Sequence, residues 1–290
     1  MIAGISPHPP IDFLAIGHVC YDLVAGGRLV GGAAAYGAST AAALGLRAGI
    51  LTSGAEPDAW RYDLPGIAVH QTRASATTTF ENTNTTYGRV QTIHEVAAYL
   101  TGADVVPQWR RTPMVFLGPI ANEVDPDMIG VFSNSMIAVG PQGWMRRWND
   151  DGRIFHVGWD SADFILPLAA VACISRHDLV EEAAIETFAR LANVLVVTNG
   201  RQGCIVHYQG EARAFLAPEA MEVDATGAGD IFAAAYLIRL YQTRGDLWEA
   251  AEFANRIAAI SVAHLGLPAK VNAIRQMTQP ESGILRGREG

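Results

Sequence analysis

Seven consecutive residues, Asp224-Ala225-Thr226-Gly227-Ala228-Gly229-Asp230, join a glycine-rich turn to a carboxylate and run directly into the apolar stretch Ile231 to Leu237. The first backbone N–H groups of a helix have no partner within the helix and sit at the positive end of its dipole. With no side chain at Gly227 or Gly229, an anion can come close to those groups, as a transferring phosphoryl group must. Asp230, in the first turn beside that anion, is placed to take a proton from an attacking hydroxyl. Glycines ahead of a helix with an acid in its first turn also occur without any chemistry. The order and spacing here suit phosphoryl transfer.

The run closely resembles the second signature of the ribokinase-like, or phosphofructokinase-B, carbohydrate kinases, usually DTTGAGD, with Ala225 in place of a threonine. The resemblance implies that Asp230 is the base, that the amides of Gly227, Ala228 and Gly229 form an anion hole, and that Thr226 stands on the donor side. Weaker matches follow in the family's order. Gly31-Gly32-Ala33-Ala34-Ala35-Tyr36 resembles the first signature, a glycine pair opening a helix beside the substrate, with Gly32 near the acceptor and Tyr36 where the family commonly carries Asn. Asp22 falls where such enzymes place a carboxylate for sugar hydroxyls, and a carboxylate accepts two neighbouring hydroxyls well; an exposed loop acid is the plain alternative.

Four further segments carry the resemblance. Thr198-Asn199-Gly200-Arg201-Gln202-Gly203 resembles the nucleotide loop, so Thr198, Gly200 and Gly203 are expected at the ATP, with Asn255 near the adenine. Ser175-Arg176-His177-Asp178 stands in place of the family's Asn-x-x-Glu motif, which implies an indirect Mg²⁺ role for Asp178. A Ser cap followed by an acid in a helical first turn explains the same residues. Gln142 and Arg146 lie in the run after another strand, where related kinases touch substrate and the phosphoryl group.

These residues need a scaffold of strands and helices in alternation. Short apolar runs at Phe13–Gly17, Arg47–Thr52, Met114–Gly118, Met136–Val139, Val171–Ile174 and Asn193–Thr198 read as buried strands. Helical patterns lie at Ala33–Leu44, Pro126–Phe132 and Leu179–Leu191, and two closing helices start at Ala228 and Leu247. Cys204–Tyr208 and Ala212–Leu216 read as an antiparallel pair. Residues 67–96, rich in Thr and Val, predict polar-faced strands with a turn around Asn84 to Gly88. The fold class is α/β: a mostly parallel central sheet with helices on both faces and, by the resemblance, a reduced β-lid at about 67–96. The expectation is one domain over 1–277 with a loose tail at 278–290.

The 290 residues are 50% hydrophobic and 17% charged, enough for a substantial core. A net charge of −8 disfavours nucleic-acid backbones and anionic membranes as main partners. Lys270 is the only lysine, so any phosphate clamp must use arginine, backbone amides or metal. Cys20, Cys173 and Cys204 lack metal-ligand spacing and read as buried thiols. The segment MIAGISPHPP shows no signal-peptide pattern and no stretch has the length of a membrane span, so a cytoplasmic protein, monomer or homodimer, is expected.

The reaction implied is transfer of the ATP γ-phosphoryl, with Mg²⁺, to a hydroxyl of a small sugar or polyol. Only eight residues separate Asp22 from Gly31, too few for two lid strands of ordinary length. That places the lid at Thr77–Asn82 and, with Tyr36, resembles the inositol kinase-like branch. Asn82, Asn84 and Gln142 then offer neutral groups to a ring of hydroxyls. Another sugar or nucleoside kinase, or a non-catalytic sugar or nucleotide sensor on this fold, is the alternative. No G-x-G-x-x-G follows the first strand, which argues against a dinucleotide oxidoreductase.

Overall fold

A computed structural model describes residues 8–56, 60, 62–85 and 88–278. Strand β1 (Phe13–Ile16) leads into β2 (Cys20–Val24) and β3 (Gly27–Gly31), followed by helix α1 (Ala33–Ala43) and β4 (Ala48–Gly54). Next come β5 (Ala68–Arg73), β6 (Thr79–Thr85), β7 (Gly88–Glu95), β8 (Met114–Leu117) and β9 (Met136–Val139). A short hairpin, β10 (Arg146–Trp148) and β11 (Ile154–His156), precedes α2 (Ala162–Ile165), β12 (Val171–Ser175), α3 (Ala184–Leu191) and β13 (Leu195–Thr198). The chain then forms β14 (Cys204–Tyr208), β15 (Glu211–Phe215), α4 (Ala228–Gln242), α5 (Leu247–Val262) and α6 (Gly266–Thr278).

Nine strands form one sheet in the order β15-β14-β13-β12-β9-β8-β1-β4-β5, parallel from β13 to β5 and antiparallel at the β14–β15 edge. Alternation along β1 divides the core. Phe13 and Ala15 pack with α1, α4 and α5 on one face, while Leu14 and Ile16 join Trp109, Phe132 and Ile165 on the other. Both faces are therefore covered, which is why these strands read as continuous apolar runs. Helix α4 is buried almost all round, from Ile231 through Ile238, because it lies between α1, α5 and the sheet.

A second sheet of four strands, β3-β2-β6-β7, forms the lid. It corrects the expected lid in two ways. Residues 20–31 do hold two lid strands, because each is only five residues long and they meet in a tight turn at Ala25-Gly26. Asp22 therefore stands in a strand, not a loop, and the supposed shortness of this span no longer argues for any branch of the family. In addition β5, inside the expected 67–96 lid, pairs in parallel with β4 and belongs to the large sheet. The predicted turn around Asn84 to Gly88 falls partly on residues 86–87, outside the described residues, as does most of the 278–290 tail.

Smaller differences have local causes. Pro126–Phe132 is a 3₁₀ helix started by Asp125 and Pro126 rather than an α-helix. The helix expected from Leu179 starts only at Ala184, after a separate 3₁₀ turn at Arg176–Asp178. Helix α6 adds a third closing helix that the alternation did not reveal. All three cysteines are buried and free, as expected.

The lid is rooted at His18, which is fully buried. Its ring is hydrogen-bonded to Thr78 Oγ1 at 2.6 Å, the Ala98 carbonyl at 2.9 Å and Ser53 Oγ at 3.1 Å. Its backbone N–H donates to the buried carboxylate of Glu123 at 2.9 Å. Main sheet and lid thus share one polar knot where β1 hands the chain to β2.

Candidate active site

In a parallel sheet every strand delivers its following loop to the same edge, and ligands bind there. Here β1 delivers the lid, β9 delivers Pro141–Met145, β12 delivers Arg176–Asp178, and β13 delivers Gly200–Gln202. The N-terminus of α4 closes the floor. These parts enclose a cavity of about 1230 Å³. That exceeds the space one small ligand needs.

Every expected site residue but one lines this cavity. The α4 turn supplies Thr226, Gly227, Ala228, Gly229 and Asp230. The sheet edge supplies Gly32, Gln142, Arg146, Asp178, Thr198, Gly200 and Gly203, and the lid supplies Asp22 and Asn82, with Asn255 at the far side. Asn84 is the exception: it pairs with Arg89 near the end of β6, and its side chain lies outside the described residues.

The turn is shaped for anion contact. Gly227 caps α4 with φ of 74°, a left-handed conformation, and a Cβ there would lie 2.5 Å from atoms of the Tyr36 ring. Thr226 N–H donates to Asp224 Oδ1 at 2.9 Å, which bends the chain into the helix. Around Gly229 there is open space. The Ala228 N–H is turned inward to the Ala225 carbonyl at 3.2 Å. An anion therefore meets the next amides of the first turn more directly than that of Ala228.

Asp230 is half-buried: water reaches it through the cavity, yet protein closes round the rest of it. Burial pushes its carboxyl up to about 7, the positive charge of Arg146 opposes that rise, and Asp178 adds to it. A carboxylate tuned near neutrality is suited to accept a proton at physiological pH. Arg146 is itself buried, and its guanidinium donates to the Ile120 carbonyl at 3.3 Å.

Asp178 is buried, and both its oxygens accept from Gln142 Nε2, at 3.2 and 3.3 Å. Ser175 Oγ accepts from the His177 N–H at 3.3 Å, so the capping explanation for Ser175 holds while Asp178 still faces the cavity. Asn255 donates to the Phe215 carbonyl at 3.2 Å and contacts Cys204 Sγ at 3.6 Å. Its amide hydrogens are thus engaged within the protein, bracing β14 and β15 behind the cavity.

At the root of the lid, Asp22 lies against Gly31, where a Cβ would meet Asp22 Oδ2 at 2.5 Å. The adjoining Gly32 has φ of 98°, and a Cβ on it would strike the His18 carbonyl at 2.3 Å. Gly32 is therefore required for the close crossing of chain between lid and α1, while a side chain at Gly31 would have to displace the Asp22 carboxylate. Gln91 and His156 are among the lining residues that escaped the sequence reading. Gln91 sits opposite Asn82 in the β6–β7 register, and His156 ends β11. Neither lies in a motif, and only strand pairing brings them to the site.

Residues 166–272 match the model of the pfkB family carbohydrate kinases. An inositol 3-kinase of Zea mays is 32% identical over 160 residues, covering 51% of this chain and 40% of that protein. A ribokinase of Bacillus subtilis (strain 168) is 34% identical over 109 residues, covering 37% of this chain and 35% of that protein. The matched segments thus span well under half the length of these curated relatives. Among solved structures, a pyrophosphate-dependent kinase in the ribokinase family, complexed with a pyrophosphate analog and myo-inositol, superposes with a TM-score of 0.75 at 21% identity, covering 90% of this chain and 98% of that one. The chain thus has the ribokinase-like fold, and its residues 166–272, which hold the glycine turn, are similar to the pfkB family carbohydrate kinases.

Proposed function

We propose that this protein transfers the γ-phosphoryl group of ATP to a hydroxyl of a cyclic polyol or compact sugar, with myo-inositol-like acceptors favoured. The observation that carries the reading is Asp230: a carboxyl tuned to about 7, in the first turn of α4, beside the open glycine turn and Arg146. The acceptor lies under the lid, where Asp22, Asn82 and Gln91 offer it hydrogen-bonding groups. Asp230 takes the proton of the attacking hydroxyl. First-turn amides of α4 and the Arg146 guanidinium meet the charge that develops on the transferred group. Inositol 3-kinases among the sequence relatives support the choice of acceptor.

Of the carboxylates lining the cavity, Asp178 and Asp230 lie near enough to feel each other's charge and would be the ones to hold Mg²⁺, a sparse set that fits a cation keeping several waters and taking few protein ligands. When bound with the donor phosphates, Mg²⁺ would neutralise charge between them and the acceptor. Gln142 orients Asp178 through its two contacts.

ATP is preferred to pyrophosphate on chemical grounds. The donor arm is lined by Ala217, Pro218, Met221, Ala258 and Val262 together with Glu219 and Glu222. Arg201 there is already engaged with Glu222 at 3.1 Å. An apolar slot edged by acids suits a nucleobase better than a compact polyanion. Initial rates with ATP and with pyrophosphate, each against myo-inositol, fructose, ribose and adenosine, test both halves of the proposal. Turnover with pyrophosphate but not ATP would overturn the donor, and a clear preference for ribose or adenosine would overturn the acceptor.

A further inference from the structure

The only lysine of the chain is also one of its most deeply buried side chains. Lys270, on α6, has no exposed surface. Its ammonium donates to the backbone carbonyl of Asp224 and lies 3.3 Å from Asp224 Oδ2. Asp224 opens the glycine turn, and its carboxylate gathers further donors: Thr226 N–H at 2.9 Å on one oxygen and Gly266 N–H, at the start of α6, at 3.0 Å on the other. The backbone amides of Val223 and Asp224 both donate to the Val262 carbonyl at the end of α5, at 2.8 and 3.0 Å. The stem of the turn is thus fastened to α5 and α6, with an ammonium at its centre.

A buried ammonium is costly to keep, and leaving its partner alone costs more. Burial alone would raise the Asp224 carboxyl, yet the two amides and the charge of Lys270 outweigh it and hold the group below its usual range. Burial pulls the Lys270 ammonium down, against the raising effect of Asp224. An apolar side chain would fill the same volume but would leave the Asp224 carboxylate short of a partner and its carbonyl without a donor. The amides left to meet an anion begin at Gly229, three residues beyond Thr226, so any relaxation of Asp224 moves them.

We infer that Lys270 is a positioning residue for phosphoryl transfer, a built-in cation that holds the Asp224–Gly227 stem so that the first-turn amides of α4 meet the anion. This rests on the kinase reading above. It requires that turnover and anion affinity depend on the ammonium itself and not only on the packing of the lysine stem.

The test uses the full chain with Lys270→Met, Lys270→Ala and the neutral pair Asp224→Asn/Lys270→Met, the last keeping a folded protein without a lone buried charge. Dissociation constants for ADP and for inorganic phosphate are measured by calorimetry, and kcat and KM with the best acceptor. The expected result is a kcat lower by about 10²-fold, the scale of an ångström-level misplacement, with acceptor KM within about threefold. Anion affinity is expected to weaken about tenfold, and added ammonium or methylammonium to restore part of the loss in Lys270→Ala but not in Lys270→Met, where the stem blocks the space. A folded Asp224→Asn/Lys270→Met with wild-type kcat and anion affinity overturns the inference, as does a folded Lys270→Ala that ammonium does not restore. If the wild type binds neither ADP nor phosphate and turns over no acceptor, the kinase reading itself fails, and that outcome is distinct from the other two.

Discussion

The face of the Tyr36 ring lies against the α-carbon of Gly227, so near that a Cβ on the glycine would come within 2.5 Å of its atoms. Tyr36 is buried on α1 and its ring lines the cavity beside the turn. The aromatic residue that departs from the family's first signature thus supports the turn of the second.

Gly227→Ala is expected to be damaging for two separable reasons. The left-handed φ of 74° costs a side chain roughly 1–2 kcal/mol, and the contact with Tyr36 adds to it. The melting temperature is expected to fall by about 4 °C or more. In the double variant Gly227→Ala/Tyr36→Ala the steric part disappears and the backbone part remains. Thermal melts of the two singles and the double give the coupling, and simple additivity would contradict the contact as its source.

Asp230→Asn is expected to cut kcat by about 10²–10⁴ while ADP binding persists. Its pH signature follows from the raised carboxyl. As the base must be ionised, wild-type kcat/KM is expected to climb through about pH 7 and level off above it. Stability runs the other way: a folded-state value above the unfolded one penalises the native state progressively from about pH 4 to about pH 7, with no further change at higher pH. The Asn variant escapes that penalty. It is expected to be more stable than wild type at pH 8 by on the order of 1–3 kcal/mol, discounted for water in the cavity, and by less at pH 4. Melts of both proteins across pH check the sign.

How much of this was legible beforehand follows from distance along the chain. The glycine turn and Asp230 were readable because all their parts are consecutive. Buried strands such as Phe13–Ile16 declared themselves by continuous apolar runs. The β2–β3 hairpin did not, since half-covered lid strands show neither a full apolar run nor clean alternation. Gln91 enters only because β7 pairs with β6, and Lys270 only because α6 folds back onto a turn 46 residues earlier. Tertiary pairing of that kind leaves no local mark.

Removing the carboxylate at 178 is expected to raise the Mg²⁺ concentration for half-maximal rate by about tenfold or more, the scale seen when metal-orienting groups are lost. Gln142→Leu, which strips both hydrogen bonds from Asp178, is expected to shift it in the same direction by a smaller factor. Mg²⁺ titrations of steady-state rate decide the matter. An unchanged Mg²⁺ dependence in Asp178→Ala reduces this residue to part of the 3₁₀ turn after β12.

The lid pair Asn82 and Gln91 governs the acceptor alone in this scheme. Replacing either by Leu is expected to raise acceptor KM by about 3- to 10-fold, the worth of one neutral hydrogen bond, with donor KM unchanged. A matched rise in donor KM would place the acceptor elsewhere in the cavity.

The knot at His18 has a thermodynamic consequence. Freezing a strand residue out of a mobile ensemble costs roughly 1–2 kcal/mol in backbone entropy, and a lid that had to assemble around each incoming molecule would lose that much for every residue ordered. Here the strands leave the main sheet through a ring bonded to three separate segments and an amide bonded to a fourth. Their root is fixed before anything enters. An arriving molecule surrenders its own translational and rotational freedom but little of the protein's. Discrimination then rests on shape and hydrogen bonding in a standing chamber, and molecules too large for it are excluded at the entrance instead of being moulded to fit.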